Sequence, residues 1–96
     1  MNVVYSPRAA RDLEAIAVYH HAVAGARVAA AIGERIEHVI NLVAEHPQSA
    51  PRVSERRGVR VALVLRYPYK IFYRIRGDAI EILHIRHTAR RPWAGQ

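Results

Sequence analysis

The sequence predicts a single α+β domain spanning residues 1–96, an antiparallel sheet packed against an N-terminal helical hairpin in the order β-α-α-β-β-β. Two observations predict it. Apolar residues recur at i, i+3 and i+4 through the first half, then alternate at a period of two from Gly58 onward. The chain is also of one-domain size: 96 residues, 51% of them hydrophobic, support one core without staples.

Residues 2–5 (Asn-Val-Val-Tyr) are a short strand candidate. Ser6-Pro7 then signals a helix start, because the Ser6 hydroxyl can accept from free N–H groups and Pro7 loses nothing at the first helical position. Leu13, Ile16, Ala17 and His20 follow at helical spacing, with Asp12 and Glu14 near the positive end of the helix dipole. This helix is expected from Pro7 to about Ala22, with a break near Gly25. In the second, longer helix Val28, Ile32, Ile36, Val39, Ile40 and Val43 form one apolar stripe, and Glu34, Glu37, His38, Asn41 and Glu45 take the other side. Pro47 stops it after His46. Two adjoining amphipathic helices with a short connection make an αα-hairpin.

Residues 47–57 (PQSAPRVSERR) have two prolines, three arginines and no apolar period, so they read as a loop and as the most mobile internal segment. Val59, Val61, Leu63 and Leu65 then alternate with Arg60, Ala62, Val64 and Arg66 until Pro68 interrupts. Tyr69, Ile71, Tyr73 and Ile75 alternate with Lys70, Phe72 and Arg74, and Gly77-Asp78 turns the chain. Ile80, Ile82, Leu83 and Ile85 place apolar residues on both faces of the last strand, so it should be central or covered by the helices. The helical hairpin covers one sheet face, which leaves the other expected to be open and basic.

Charge is divided unevenly along the chain. Residues 1–51 hold four arginines against five acids, whereas residues 52–96 hold ten arginines and one lysine against three acids. Codon bias can favour arginine over lysine but does not gather it into one half, so the asymmetry points to an anionic partner. There is no cysteine, which excludes disulfides and cysteine-ligated metals. The histidines His20, His21, His38 and His46 form no metal-binding pattern, and no metal or cofactor is expected. No apolar run approaches the ~20 residues of a membrane span, and MNVVYSPRAA lacks the basic-then-apolar order of a signal peptide. The protein is expected to be cytoplasmic.

Three stretches together resemble the RelE/ParE superfamily of toxins from bacterial type II toxin–antitoxin systems: the hairpin ending HVINLVAEHPQSA, the segment Arg66-Tyr67-Pro68-Tyr69-Lys70-Ile71-Phe72-Tyr73-Arg74, and Glu81-Ile82-Leu83-His84-Ile85-Arg86-His87-Thr88-Ala89-Arg90-Arg91. The resemblance covers essentially the whole chain. It implies a growth-arresting toxin of the kind linked to plasmid stabilisation, held silent in a hetero-oligomer by a co-expressed acidic antitoxin. RelE-like members cleave messenger RNA on the ribosome; ParE-like members inhibit DNA gyrase. The long helical hairpin and the histidine-ended last strand look more like ParE, and a non-enzymatic gyrase inhibitor is the favoured reading.

RNA cleavage without a metal requires a 2′-hydroxyl to lose its proton, the phosphorane charge to be stabilised and the leaving oxygen to be protonated. If the chain is RelE-like, the resemblance assigns those roles to Lys70, Arg90 and His87. His87 is suited to proton transfer because an unperturbed imidazole titrates near ~6.5. The tail carries Trp93 in place of a tyrosine, and an indole transfers no proton at neutral pH. The candidate contacts to an acidic antitoxin, or to the target, are Arg60, Arg66, Arg74, Arg86 and Arg90. An open sheet edge beside a basic, partly aromatic face is the kind of surface that an amphipathic acidic segment covers by groove docking or strand addition.

Overall fold

Ser6 begins the structure's logic as well as the first helix. In the computed structural model, which describes residues 1–88, β1 (Asn2–Tyr5) leads into α1 (Pro7–Ala24). The Ser6 Oγ accepts from the Ala9 N–H at 3.0 Å and donates to the Leu83 carbonyl at 2.9 Å, so the helix cap is also a tie to the last strand. Gly25 separates α1 from α2 (Ala26–Glu45) and lies at φ +89°, a backbone conformation that costs glycine little and other residues more. Its N–H closes the first helix on the His21 carbonyl and its own carbonyl opens the second by accepting from Ala29.

The α2 stripe reaches the core as its spacing predicts: Ile32, Ile36, Ile40 and Val43 are buried together with Ala44, and Val39 packs partly against them. Val28, at the start of the stripe, stays exposed. The helical hairpin covers one face of a four-stranded sheet of spatial order β1-β4-β3-β2, with β2 (Arg60–Val64), β3 (Tyr69–Arg76) and β4 (Ala79–His87). The last three strands are an antiparallel meander, and β1 joins β4 in parallel, so the whole sheet is mixed. The parallel pairing follows from the two intervening helices and two strands, which return the chain beside β1 running the same way. Strand β4 is central, as its apolar content requires.

A bulge in β4 sets which side chains meet the helices. Phe72 pairs with His84 but Tyr73 pairs with Ile82, leaving Leu83 as the extra residue. Ile80, Ile82 and Ile85 therefore all enter the helix-side core, although strict alternation would send Ile85 to the opposite face from Ile82. They join Ala62 and Val64 of β2 and Tyr69, Ile71 and Tyr73 of β3. The Gly77-Asp78 turn has φ +61° at Gly77 and no positive φ at Asp78, the pattern of a two-residue II′ hairpin.

The segment after α2 is a loop, as expected, and it is laced to the edge of β2. Arg52 forms a bridge with Arg60, the Val53 N–H donates to the Val59 carbonyl at 2.8 Å, and the Val61 N–H donates to Pro51 at 3.0 Å. The sheet face away from the helices was expected to be open and basic, yet its centre is apolar and covered. Val59, Phe72 and Leu83 are buried there as a second small core, with Val53 and Val61 packed on it. The bulge causes this, because it turns Leu83 and His84 both toward that side.

Candidate functional site

Around that apolar centre the outer face carries the charged side chains of β3 and β4. By strand alternation Lys70, Phe72, Arg74 and Arg76 point away from the helices, since Tyr69, Ile71 and Tyr73 point into the core. Lys70 is directly paired with Arg86 across the strands, Phe72 with His84 and Arg74 with Glu81. Arg74 Nε donates to Glu81 Oε1 at 2.7 Å, and Arg76 Nη1 stands 3.6 Å from the same oxygen. At this end of the strands the basic surface is therefore partly neutralised.

At the other end Lys70 and Arg86 stand opposite one another. Like charges placed opposite one another on a sheet repel, and Lys70 has no carboxylate at ion-pair distance among the described residues. Its neighbour Arg86 is buried to 8% exposure, lies with Cζ 5.7 Å from the centroid of the Phe72 ring, and donates from Nη1 to the His87 carbonyl. His84 stacks on the same ring, with centroids 5.9 Å apart and planes 16° from parallel. The outcome is a layered array, His84 and Arg86 against Phe72, with Lys70 paired across the strands from Arg86.

His84 is held by α1. Its Nδ1 lies 2.7 Å from Asp12 Oδ2, which also accepts from the Ile85 N–H at 3.0 Å. The neutral imidazole thus donates from Nδ1 and leaves Nε2 as an acceptor. Burial pushes the His84 pKa below the usual histidine value; the hydrogen bond and charge of Asp12 oppose this, while Arg8 and Arg86 add to the depression. Asp12 also finishes the edge of β4. Strand β1 ends where Tyr5 pairs with Ile82, after which Ser6 takes the Ile82 and Leu83 carbonyls and Asp12 takes the Ile85 N–H. The sequence offers no sign of this junction, because 72 residues separate Asp12 from His84.

The remaining sequence-predicted residues are dispersed. Arg60 lies on the same face as its pair partner Tyr73 and spends Nη1 on the Gln48 and Ala50 carbonyls, at 3.1 and 2.7 Å, holding the segment after α2. Nearby, the buried Tyr73 hydroxyl donates to the Pro47 carbonyl at 2.8 Å; burial raises its pKa, and the Arg60 charge acts against the rise. Arg66 stands in the β2–β3 turn, off the outer face, at φ +79°. His87 pairs with Tyr69, so it faces the helix side, opposite to Lys70; their rings meet edge to face at 5.6 Å. The Tyr69 hydroxyl lies 2.7 Å from His20 Nε2 on α1, a contact that the sequence reading did not foresee. Arg90 and Trp93 lie outside the described residues. Lys70, Arg74 and Arg86 are thus brought to one face; Lys70 and His87 are not. Among the described residues no three His, Asp or Glu side chains gather as a metal-binding group, and no helix is long and apolar enough to cross a membrane.

A helical hairpin on one side of a β1-β4-β3-β2 sheet, with cationic and aromatic side chains on the other, defines the toxin fold that the sequence motifs resemble. Comparison with known proteins narrows the class. The family model for the ParE toxin of type II toxin–antitoxin systems, parDE, matches residues 3–92, and the chain belongs to that family. A solved structure of the chromosomal ParDE toxin–antitoxin system from P. aeruginosa is similar at 33% identity, with a TM-score of 0.78 over 91% of this chain and 95% of that one. No curated protein matches the chain.

Proposed function

We propose that this toxin arrests growth by binding DNA gyrase in the cytoplasm, without a catalytic step of its own, and that a cognate acidic antitoxin silences it in a hetero-oligomer. Family membership supports the toxin–antitoxin setting. The observation that carries the reading further is Lys70, paired across the strands with Arg86 beside the buried Phe72 array and with no acid at ion-pair distance among the described residues. An anionic group that arrives there meets in Lys70 a cation with no carboxylate of its own among the described residues. The enzymatic alternative, ribosome-dependent cleavage of messenger RNA, needs proton-transfer groups on one side of the scissile phosphate. The separation of Lys70 and His87 onto opposite faces weighs against it.

The test is the purified protein in a gyrase supercoiling assay beside in vitro translation with message mapping. Inhibited supercoiling with intact message is the expected result. Codon-phased cuts with normal supercoiling would replace gyrase by messenger RNA, and silence in both assays with antitoxin binding kept would leave an interaction module. Lys70→Ala and Arg90→Ala should each weaken growth arrest while circular dichroism stays unchanged.

A further inference from the structure

On the side of the molecule away from the basic sheet face, an open hollow of about 260 Å³ lies between the middle of α2 and the β2–β3 turn. Ala31, Glu34, Arg35, His38, Arg66 and Tyr67 line it. Three features of this hollow are unfavourable in the isolated chain. Arg35 and Arg66 bring two guanidinium groups to one cavity, yet among the described residues neither is in an ion pair. The Arg35 Nε–H is buried and has no hydrogen-bond partner there. Arg66 is the one non-glycine described residue at positive φ, and an arginine has no side-chain chemistry that favours that conformation.

Unfavourable features that coincide at one cavity are the signature of a site completed by something else. We infer that this hollow receives the carboxylate of an aspartate or glutamate from a partner protein segment, held by the Arg35 and Arg66 guanidinium groups. Guanidinium forks match a carboxylate's two oxygens, and an Arg35 side chain whose Nε–H lacks a partner gains one by turning toward such an oxygen. Two neighbours select the occupant. Glu34 on the wall disfavours a doubly charged phosphate more than a singly charged carboxylate. Leu65, next to Arg66 and 68% exposed, offers an apolar rest for a side chain flanking the acid. The occupant is therefore an acidic segment with apolar residues beside the acid. The identity of its owner rests on the antitoxin reading above.

The test follows the arginine Nε–H signals of the full chain by NMR at constant ionic strength. A capped Glu-Leu-Glu-Leu peptide should shift the Arg35 and Arg66 signals saturably, and Arg66→Gln should weaken its binding roughly tenfold, the loss of about one charge-assisted hydrogen bond. Inorganic phosphate should shift them weakly and without saturation. Saturation by phosphate but not by peptide, or peptide shifts confined to Arg74, Arg76 and Arg86, overturns the inference. Should Arg66→Gln disturb the turn, Arg35→Lys keeps the charge but removes the fork, and equal peptide affinity in that variant is equally fatal. A second arm uses the product of an adjacent acidic reading frame. If it binds wild type and both variants equally, the inference fails while the antitoxin reading stands. If it binds none of them while the peptide still seats on Arg35 and Arg66, only the antitoxin reading fails.

Discussion

Replacing Asp12 with alanine is the perturbation that most directly probes how the helices hold the sheet. One carboxylate oxygen receives both the His84 Nδ1–H at 2.7 Å and the Ile85 N–H at 3.0 Å, at the point where β4 outruns its partner β1. Truncation removes two bonds to a charged acceptor and leaves a strand N–H without a partner. A hydrogen bond to a charged group contributes roughly 1.5–3 kcal/mol, and an orphaned buried donor costs about 1–3 kcal/mol. The Asp12 side chain is 21% exposed, so water recovers part of this. A net loss of about 2–3 kcal/mol follows, or roughly 10–20 °C in Tm for a domain of this size. Asp12→Asn keeps one acceptor for the Ile85 N–H and should lose only about 1 kcal/mol.

The same junction gives the stability a pH dependence of defined sign. The folded His84 pKa lies below the unfolded value near ~6.5. Just below pH ~6.5 the unfolded chain therefore binds more protons than the folded one. The His84 contribution is complete above ~6.5 and is lost as the pH falls toward the folded pKa. Asp12 opposes the depression, so in Asp12→Asn the folded pKa drops further and the acid loss becomes larger. Urea unfolding of wild type, Asp12→Ala, Asp12→Asn and His84→Gln between pH 5 and 8 measures both effects, with His84→Gln giving the profile of the remaining groups. An Asp12→Ala loss below about 0.5 kcal/mol would refute the junction as a structural tie. A His84 contribution that grows on acidification would refute the burial argument.

Other variants test the core and the segment after α2. Ile36, with no exposed surface, should lose about 2–5 kcal/mol when replaced by alanine, and about 0.5–1.5 kcal/mol as valine, read by denaturant midpoints. Tyr73→Phe deletes the bond to the Pro47 carbonyl and should cost about 1–2 kcal/mol while leaving the strands intact by circular dichroism. Arg60→Gln releases the Gln48 and Ala50 carbonyls, so hydrogen exchange should rise at Val53 and Val61, whose N–H groups lace this segment to β2; unchanged protection would show that Arg60 is not what holds it.

The element order, the two helix stripes, the Ser6 cap, the Gly25 break and the Gly77 turn were all legible in the residues. Each follows from a local rule: a periodicity, a capping hydroxyl, or a glycine where φ must be positive. The motifs around Lys70 and Arg86 were legible as well, and with them the toxin family. Which basic residues share a face was only partly legible. Alternation along β3 groups Lys70 with Arg74 correctly, but it says nothing of Arg60, whose guanidinium turns to backbone carbonyls, nor of Arg66 in its turn.

What the chain alone determined is therefore the list of elements and the chemistry each carries. What the tertiary structure decided is where that chemistry points. The Leu83 bulge reverses the alternation of β4 and puts an apolar core under the basic face, and Asp12 finds His84 across 72 residues. The physical reason is range. Caps, turns and stripes are settled by neighbours within a few positions, whereas a bulge, a covered edge and a shared anion hollow exist only once distant segments compete for the same space.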